Sequence, residues 1–109
     1  MQKNYLGEFE ELVLLTISIL EDEAYGVAIK EALEEKADRS ITIGSLHSTI
    51  ARLEEKGLLK STLGEATAIR GGRRKRYFQL TANARKVLQH IKSLRDELWS
   101  LSNLEMKRI

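Results

Sequence analysis

Six apolar residues near the C-terminus, Ala84, Val87, Ile91, Leu94, Leu98 and Leu101, are separated by three, four, three, four and three positions. That alternation places them on one side of an α-helix as a coiled-coil seam. Thr81 is a good N-cap, so the helix is expected to start just after it and to run almost to the C-terminus. About 27 helical residues at 1.5 Å each make a rod of about 40 Å. A chain of 109 residues builds only a modest core, and the rod outruns it. The seam can pack on its own chain's core or on a second copy; its length favours pairing. Residues 81–109 are therefore expected to form a dimerisation helix, continuous in one compact unit with a domain over residues 1–80.

The rest of the chain divides at glycines, since it holds no Pro. A first helix is expected over about residues 8–20, apolar on most sides and so buried on most sides, with acidic residues in its first turn to suit the helix dipole. A second is expected over about 24–37, with Tyr25, Ala28, Ile29, Ala32 and Leu33 as its stripe. A third is expected over about 43–56, capped by Thr42, stopped by Gly57 and carrying a stripe of Ile43, Leu46, Ile50 and Leu53. "LLKSTL" (58–63) and "KRYFQL" (75–80) read as strands joined by a long hairpin loop. Three helices, a hairpin and a long helix make a mostly α chain with one small β-hairpin, the order of a winged helix-turn-helix with a C-terminal dimerisation helix.

Composition removes several functions. There is no Cys, hence no disulfide and no thiolate zinc site, which suits a reducing cytoplasm. The longest nearly apolar run, Leu12 to Leu20, is too short to span a bilayer, and acidic residues precede it, unlike a signal peptide. His47 and His90 are far apart; no metal-ligand spacing, nucleophile elbow or phosphate loop is present. Catalysis, a metal and a cofactor are not expected.

Charge is segregated. Residues 1–59 hold six Lys/Arg against twelve Asp/Glu, a net of −6; residues 60–109 hold twelve against four, a net of +8. Such asymmetry points to one face for a polyanion, although charge also simply solubilises helices. The face of the third helix opposite its stripe carries Gly44, Ser45, Ser48, Ala51, Arg52 and Glu55, with His47 and Thr49 on its flanks. Small residues let a helix enter the DNA major groove, hydroxyls contact phosphates or base edges, and Arg52 has the reach of a guanine edge or a phosphate. The hairpin carries Arg70, Gly71, Gly72, Arg73, Arg74, Lys75 and Arg76. Its glycines permit close backbone approach and its cations suit a phosphate backbone or the minor groove. Arg76 shares a strand face with Phe78 and Leu80, which gives it a structural alternative.

The chain resembles the PadR-family transcriptional regulators in "LGEFEELVLL" (6–15), "EAYGVAIKEALEE" (23–35), "GSLHSTIARLEEKGLL" (44–59) and "LGEATAIRGGRRKRYFQLT" (63–81). The resemblance implies a dimeric winged-helix repressor acting on promoters. By position it places DNA contacts at Ser45, His47, Ser48 and Thr49 and, in the wing, at Gly71, Gly72, Arg73 and Arg74. Tyr25 matches a family Tyr near the DNA backbone, while its place in the stripe of the second helix makes a core role equal. The family often has Tyr where this chain has His47, a change that can add pH dependence. Some relatives bind small molecules between the two C-terminal helices. Trp99, the only Trp, and Leu88 lie on nearly the same side of the last helix; they would cover a pocket for a lipophilic or aromatic effector or pack on a partner subunit. With one terminal helix and no separate sensor domain expected, an effector would have to use the dimer interface, or there is none. The reading is a homodimeric, cytoplasmic repressor on a near-palindromic operator in double-stranded DNA. The rival is a winged-helix protein-interaction module that binds no operator.

Overall fold

The computed structural model describes residues 5–64 and 74–104. Its elements are α1 (Glu8–Leu20), a 3₁₀ turn (Glu21–Glu23), α2 (Gly26–Lys36), α3 (Ile43–Glu55), β1 (Leu59–Leu63), β2 (Arg76–Leu80) and α4 (Ala82–Leu101). The chain is mostly helical with one two-stranded antiparallel hairpin, in the expected order.

α1 is the centre of the core. Val13, Leu14 and Ile17 are buried and meet Ile29 and Leu33 of α2, Leu46, Ile50 and Leu53 of α3, and Phe78 and Leu80 of β2 in one cluster. Burying each such side chain contributes about 1.5–3 kcal/mol, and the cluster fixes all three helices and the hairpin together. Burial of α1 is less complete than its composition suggests. Leu15 and Ile19 are 41% and 55% exposed, on a side that no other described element covers fully. α1 gives way to the 3₁₀ turn at Glu21, whose φ of 53° lies in the left-handed region.

α3 ends where Gly57 takes φ +75°, a conformation that glycine adopts without a Cβ penalty. The chain then enters β1, whose residues pair with β2 in the register Leu59↔Leu80, Ser61↔Phe78 and Leu63↔Arg76. Thr81 closes the unit. Its hydroxyl accepts the Ala84 N–H at 3.1 Å and donates to the Gly57 carbonyl at 2.8 Å. One side chain thus caps α4 and ties it to the end of α3.

Candidate nucleic-acid interface

α3 is set by its cap and by a buried acid. The Thr42 hydroxyl accepts the Ser45 N–H at 3.0 Å, fixing the first turn. Gly44, Ser45, His47, Ser48 and Ala51 are exposed, so these expected residues share an open face. Thr49 is a correction: it is 2% exposed, and its hydroxyl donates to the Ser45 carbonyl at 3.1 Å. Its position in the turn places it beside Leu46 and Leu53, toward the core, rather than on the open flank.

Arg52 is engaged within the chain. Its Nε donates to Glu10 Oε2 at 3.4 Å and one terminal nitrogen donates to Thr49 Oγ1 at 3.2 Å. Lys56 Nζ donates to Glu10 Oε1 at 2.8 Å and to the Tyr5 carbonyl at 3.2 Å. Glu10 is 6% exposed and also accepts the Gly7 N–H at 2.9 Å. Burial pushes its carboxyl upward, but the bonds from Lys56, Gly7 and Arg52, with the Lys56 charge, together hold it below the usual carboxylate range. Glu10 therefore clamps the C-terminal half of α3 to the start of α1. Sequence reasoning did not find this clamp. Glu10 stands three residues after Gly7, a legible capping-box position, whereas its bonds to Arg52 and Lys56 cross more than forty residues.

The base of the hairpin lies beside this face. Tyr25 is the N-cap residue of α2 and forms an isolated antiparallel bridge with Tyr77. Their rings meet edge to face at 5.7 Å, and Lys75 Nζ stands 4.1 Å from the centre of the Tyr25 ring. Phe78 donates its N–H to the Ala24 carbonyl at 2.9 Å. Arg74 Nε donates to the Gly64 carbonyl at 2.8 Å, and the Gly64 N–H donates to the Lys75 carbonyl at 2.7 Å. A Cβ on Gly64 would fall 2.7 Å from the Tyr77 ring, so the neck of the hairpin closes only around glycine. Arg76 bonds Ser61 Oγ at 3.0 Å across the strands, its structural alternative. Arg70, Gly71, Gly72 and Arg73 lie outside the described residues.

Between α3 and β2 runs a groove of about 640 Å³, lined among others by Val27, Ile43, His47, Glu54, Lys75 and Arg76. It brings His47 and three cations, Arg74 included, to one surface. Among the described residues no group of three or more His, Asp or Glu gathers as a metal site requires.

The seam on α4 divides into two parts. Ala84 and Val87 are buried in the chain's own core, and Leu88 and Ile91 pack half-buried against it. The expectation that all six seam residues face a partner is thus corrected for Ala84 and Val87, because the start of α4 packs on β2 and the core cluster. Beyond Ile91 the helix leaves the core: Leu94, Leu98 and Leu101 are 48%, 58% and 74% exposed. Arg95 bonds Glu11 at 3.0 Å, the last described tie to α1. Trp99 is 52% exposed. Leu88 lines a cavity of about 470 Å³ with Leu15, Glu11 and Arg95, which Trp99 does not line. Among the described residues no helix is long and apolar enough to cross a membrane.

Three helices in a helix-turn-helix arrangement, a hairpin braced against them and a projecting last helix define a winged helix-turn-helix fold. The model of the "Transcriptional regulator PadR-like family" matches residues 14–90, more than half of the chain, and the chain belongs to that family. No curated protein gives a significant sequence match. Among solved structures, a PadR-like transcription factor from Bacteroides fragilis is 27% identical, with a TM-score of 0.70 over 84% of each chain. A PadR family transcription regulator from hypervirulent Clostridium difficile R20291 is 26% identical, with a TM-score of 0.69 over 87% of this chain and 95% of that one. A transcriptional regulator from Clostridium thermocellum is 27% identical, with a TM-score of 0.67 over 90% of this chain and 92% of that one.

Proposed function

We propose that this PadR-family chain is a cytoplasmic homodimeric repressor that binds a near-palindromic operator in double-stranded DNA and catalyses no reaction. The observation that carries the reading is the placement of Arg74, Lys75 and Arg76 along the same groove as His47 of α3. Exposed Ser45, His47 and Ser48 enter the major groove, and Arg70, Gly71, Gly72, Arg73, Arg74 and Lys75 follow the flanking backbone. Tyr25, held between Tyr77 and Lys75, lies at the hairpin side of the contact. Residues 1–80 carry this surface, and residues 81–109 pair the subunits. Leu94, Leu98 and Leu101 of α4 support the pairing, since they are apolar, lie on one side and are left exposed by the described residues. Two-fold symmetry sets half-sites about 10 bp, or a multiple, apart.

The test is fluorescence anisotropy on the DNA upstream of the protein's own gene against scrambled DNA, across a salt series. If the dimer neutralises roughly 6–10 phosphates, affinity falls by about 10³–10⁵ between 50 and 200 mM salt. Equal binding to both DNAs refutes sequence-specific control. Absence of binding at low salt favours the rival, a module that binds a protein partner. A second reading concerns an effector: the cavity shared by Leu15 and Leu88 supports a lipophilic or aromatic ligand beside α4, with Trp99 as a fluorescent reporter on the same helix.

A further inference from the structure

The guanidinium on the exposed face of α3 is already bonded within the chain. Arg52 is the only Arg in α3, and it is bonded to Glu10 and Thr49. Lys56, at the C-cap, is bonded to Glu10 and Tyr5. The other polar groups on the open face are the hydroxyls of Ser45 and Ser48, the imidazole of His47 and, in the last turn, the carboxylate of Glu55. Bidentate recognition of guanine calls for Arg or Lys.

The leading end of the same helix is apolar instead. Ile43 is its first residue and, though expected on the apolar stripe, is 41% exposed and lies outside the core cluster. It lines the groove together with Val27, which is 55% exposed. Arg74, Lys75 and Arg76 line that groove as well, so it suits an occupant that presents negative charge and an apolar group side by side. Glu54, the one carboxylate on the lining, stands eleven residues further along α3, about three turns from Ile43. In the major groove the base edges offer a single apolar group, the C5-methyl of thymine, set among flanking phosphates.

We propose that Ile43 is a specificity-determining residue that reads a thymine methyl, so that each operator half-site carries a T·A pair opposite the N-terminus of α3. The inference rests on the DNA-binding reading above. Wild-type protein selects that pair, and the selection belongs to Ile43 rather than to Arg52.

The experiment has two stages. Duplexes are first selected from a random-sequence pool by wild-type protein and by Ile43→Ala. The best wild-type duplex is then rebuilt with each thymine replaced singly by 2′-deoxyuridine, which removes the methyl and keeps the pairing, and anisotropy is measured. Burial of one methyl corresponds to about a fourfold change in affinity. One thymine per half-site is expected to show that loss with wild type and less than about a twofold loss with Ile43→Ala, the non-additivity of groups in contact. The thymine is also expected to lose its enrichment in the pool selected by Ile43→Ala. Ile43 is well exposed, and a thermal melt equal to wild type certifies the variant's fold. Deoxyuridine replacements without effect on wild type, or with equal effect on both proteins, overturn the assignment while leaving DNA binding intact. A selected G·C pair whose enrichment depends on Ile43 overturns it too. Enrichment of no sequence overturns the operator reading itself, and the inference with it.

Discussion

Replacing Glu10 with Gln tests the clamp on α3. Glu10 is 6% exposed, while the side chains of Lys56 and Arg52 are 37% and 55% exposed. Breaking a fully buried pair costs about 3–5 kcal/mol, and an exposed pair contributes about 0.2–1 kcal/mol. Here the acid is buried but both cations reach water and rehydrate when released, so about 1–2 kcal/mol is expected. Gln keeps an amide oxygen to accept the Gly7 N–H; Glu10→Ala loses that bond as well, adding about 1 kcal/mol. In a domain of this size Glu10→Gln should lower Tm by about 5–10 °C at fixed protein concentration. The pH dependence separates the charge from the shape. Glu10 is held below its ordinary range in the folded state, so its contribution is complete above the unfolded carboxylate value and is lost as pH falls through the folded value. Urea melts of both proteins should therefore differ most near pH 7 and converge as pH falls below the ordinary carboxylate range. A difference that persists unchanged in acid, or none at pH 7, would refute the clamp.

Three further outcomes are expected. Leu94→Asp should leave a folded monomer on sedimentation, since Leu94 is 48% exposed in the single chain and the new charge would be buried unpaired only at the seam; a variant that stays dimeric removes α4 from the interface. Arg73→Ala with Arg74→Ala should weaken binding to every DNA sequence and flatten the salt slope by about 2 for each wing, and an unchanged slope takes the wing off the DNA. Thr81→Ala should cost about 1–2 kcal/mol in urea melts, because it removes the bonds to Ala84 and Gly57; a loss below about 0.3 kcal/mol would mean that water replaces the cap.

What the sequence disclosed and what it withheld follow the range of the forces involved. Thr42, Gly57 and Thr81 act on backbone groups within three or four residues, so their roles are legible from residue type and position. The same holds for α3, whose period is strong, and for α1, whose apolar run is long. Thr49 was misplaced because a residue on the border of a helical stripe goes inward or outward according to its neighbours, and here Arg52 and the core draw it in. The 3₁₀ turn at Glu21–Glu23 has no signature beyond three acids. The Glu10 clamp and the Tyr25–Tyr77–Lys75 group join residues far apart in sequence, and only the packed fold brings them together. In α4 the periodicity is uniform, but its burial changes at Ile91; spacing alone does not reveal where a chain's own core stops.

The bond from Phe78 to the Ala24 carbonyl and the bridge between Tyr25 and Tyr77 join β2 to the very start of α2. The root of the wing is thereby indexed to the helix-turn-helix on one side, while Thr81 indexes it to the end of α3 on the other. The protein behaves as a caliper with a locked jaw. Any partner that touches both α3 and the hairpin must match a preset separation, and a mismatch is met by tilting a whole subunit rather than by bending the wing at its root. If two copies pair through the long helix as proposed, such tilts would add there.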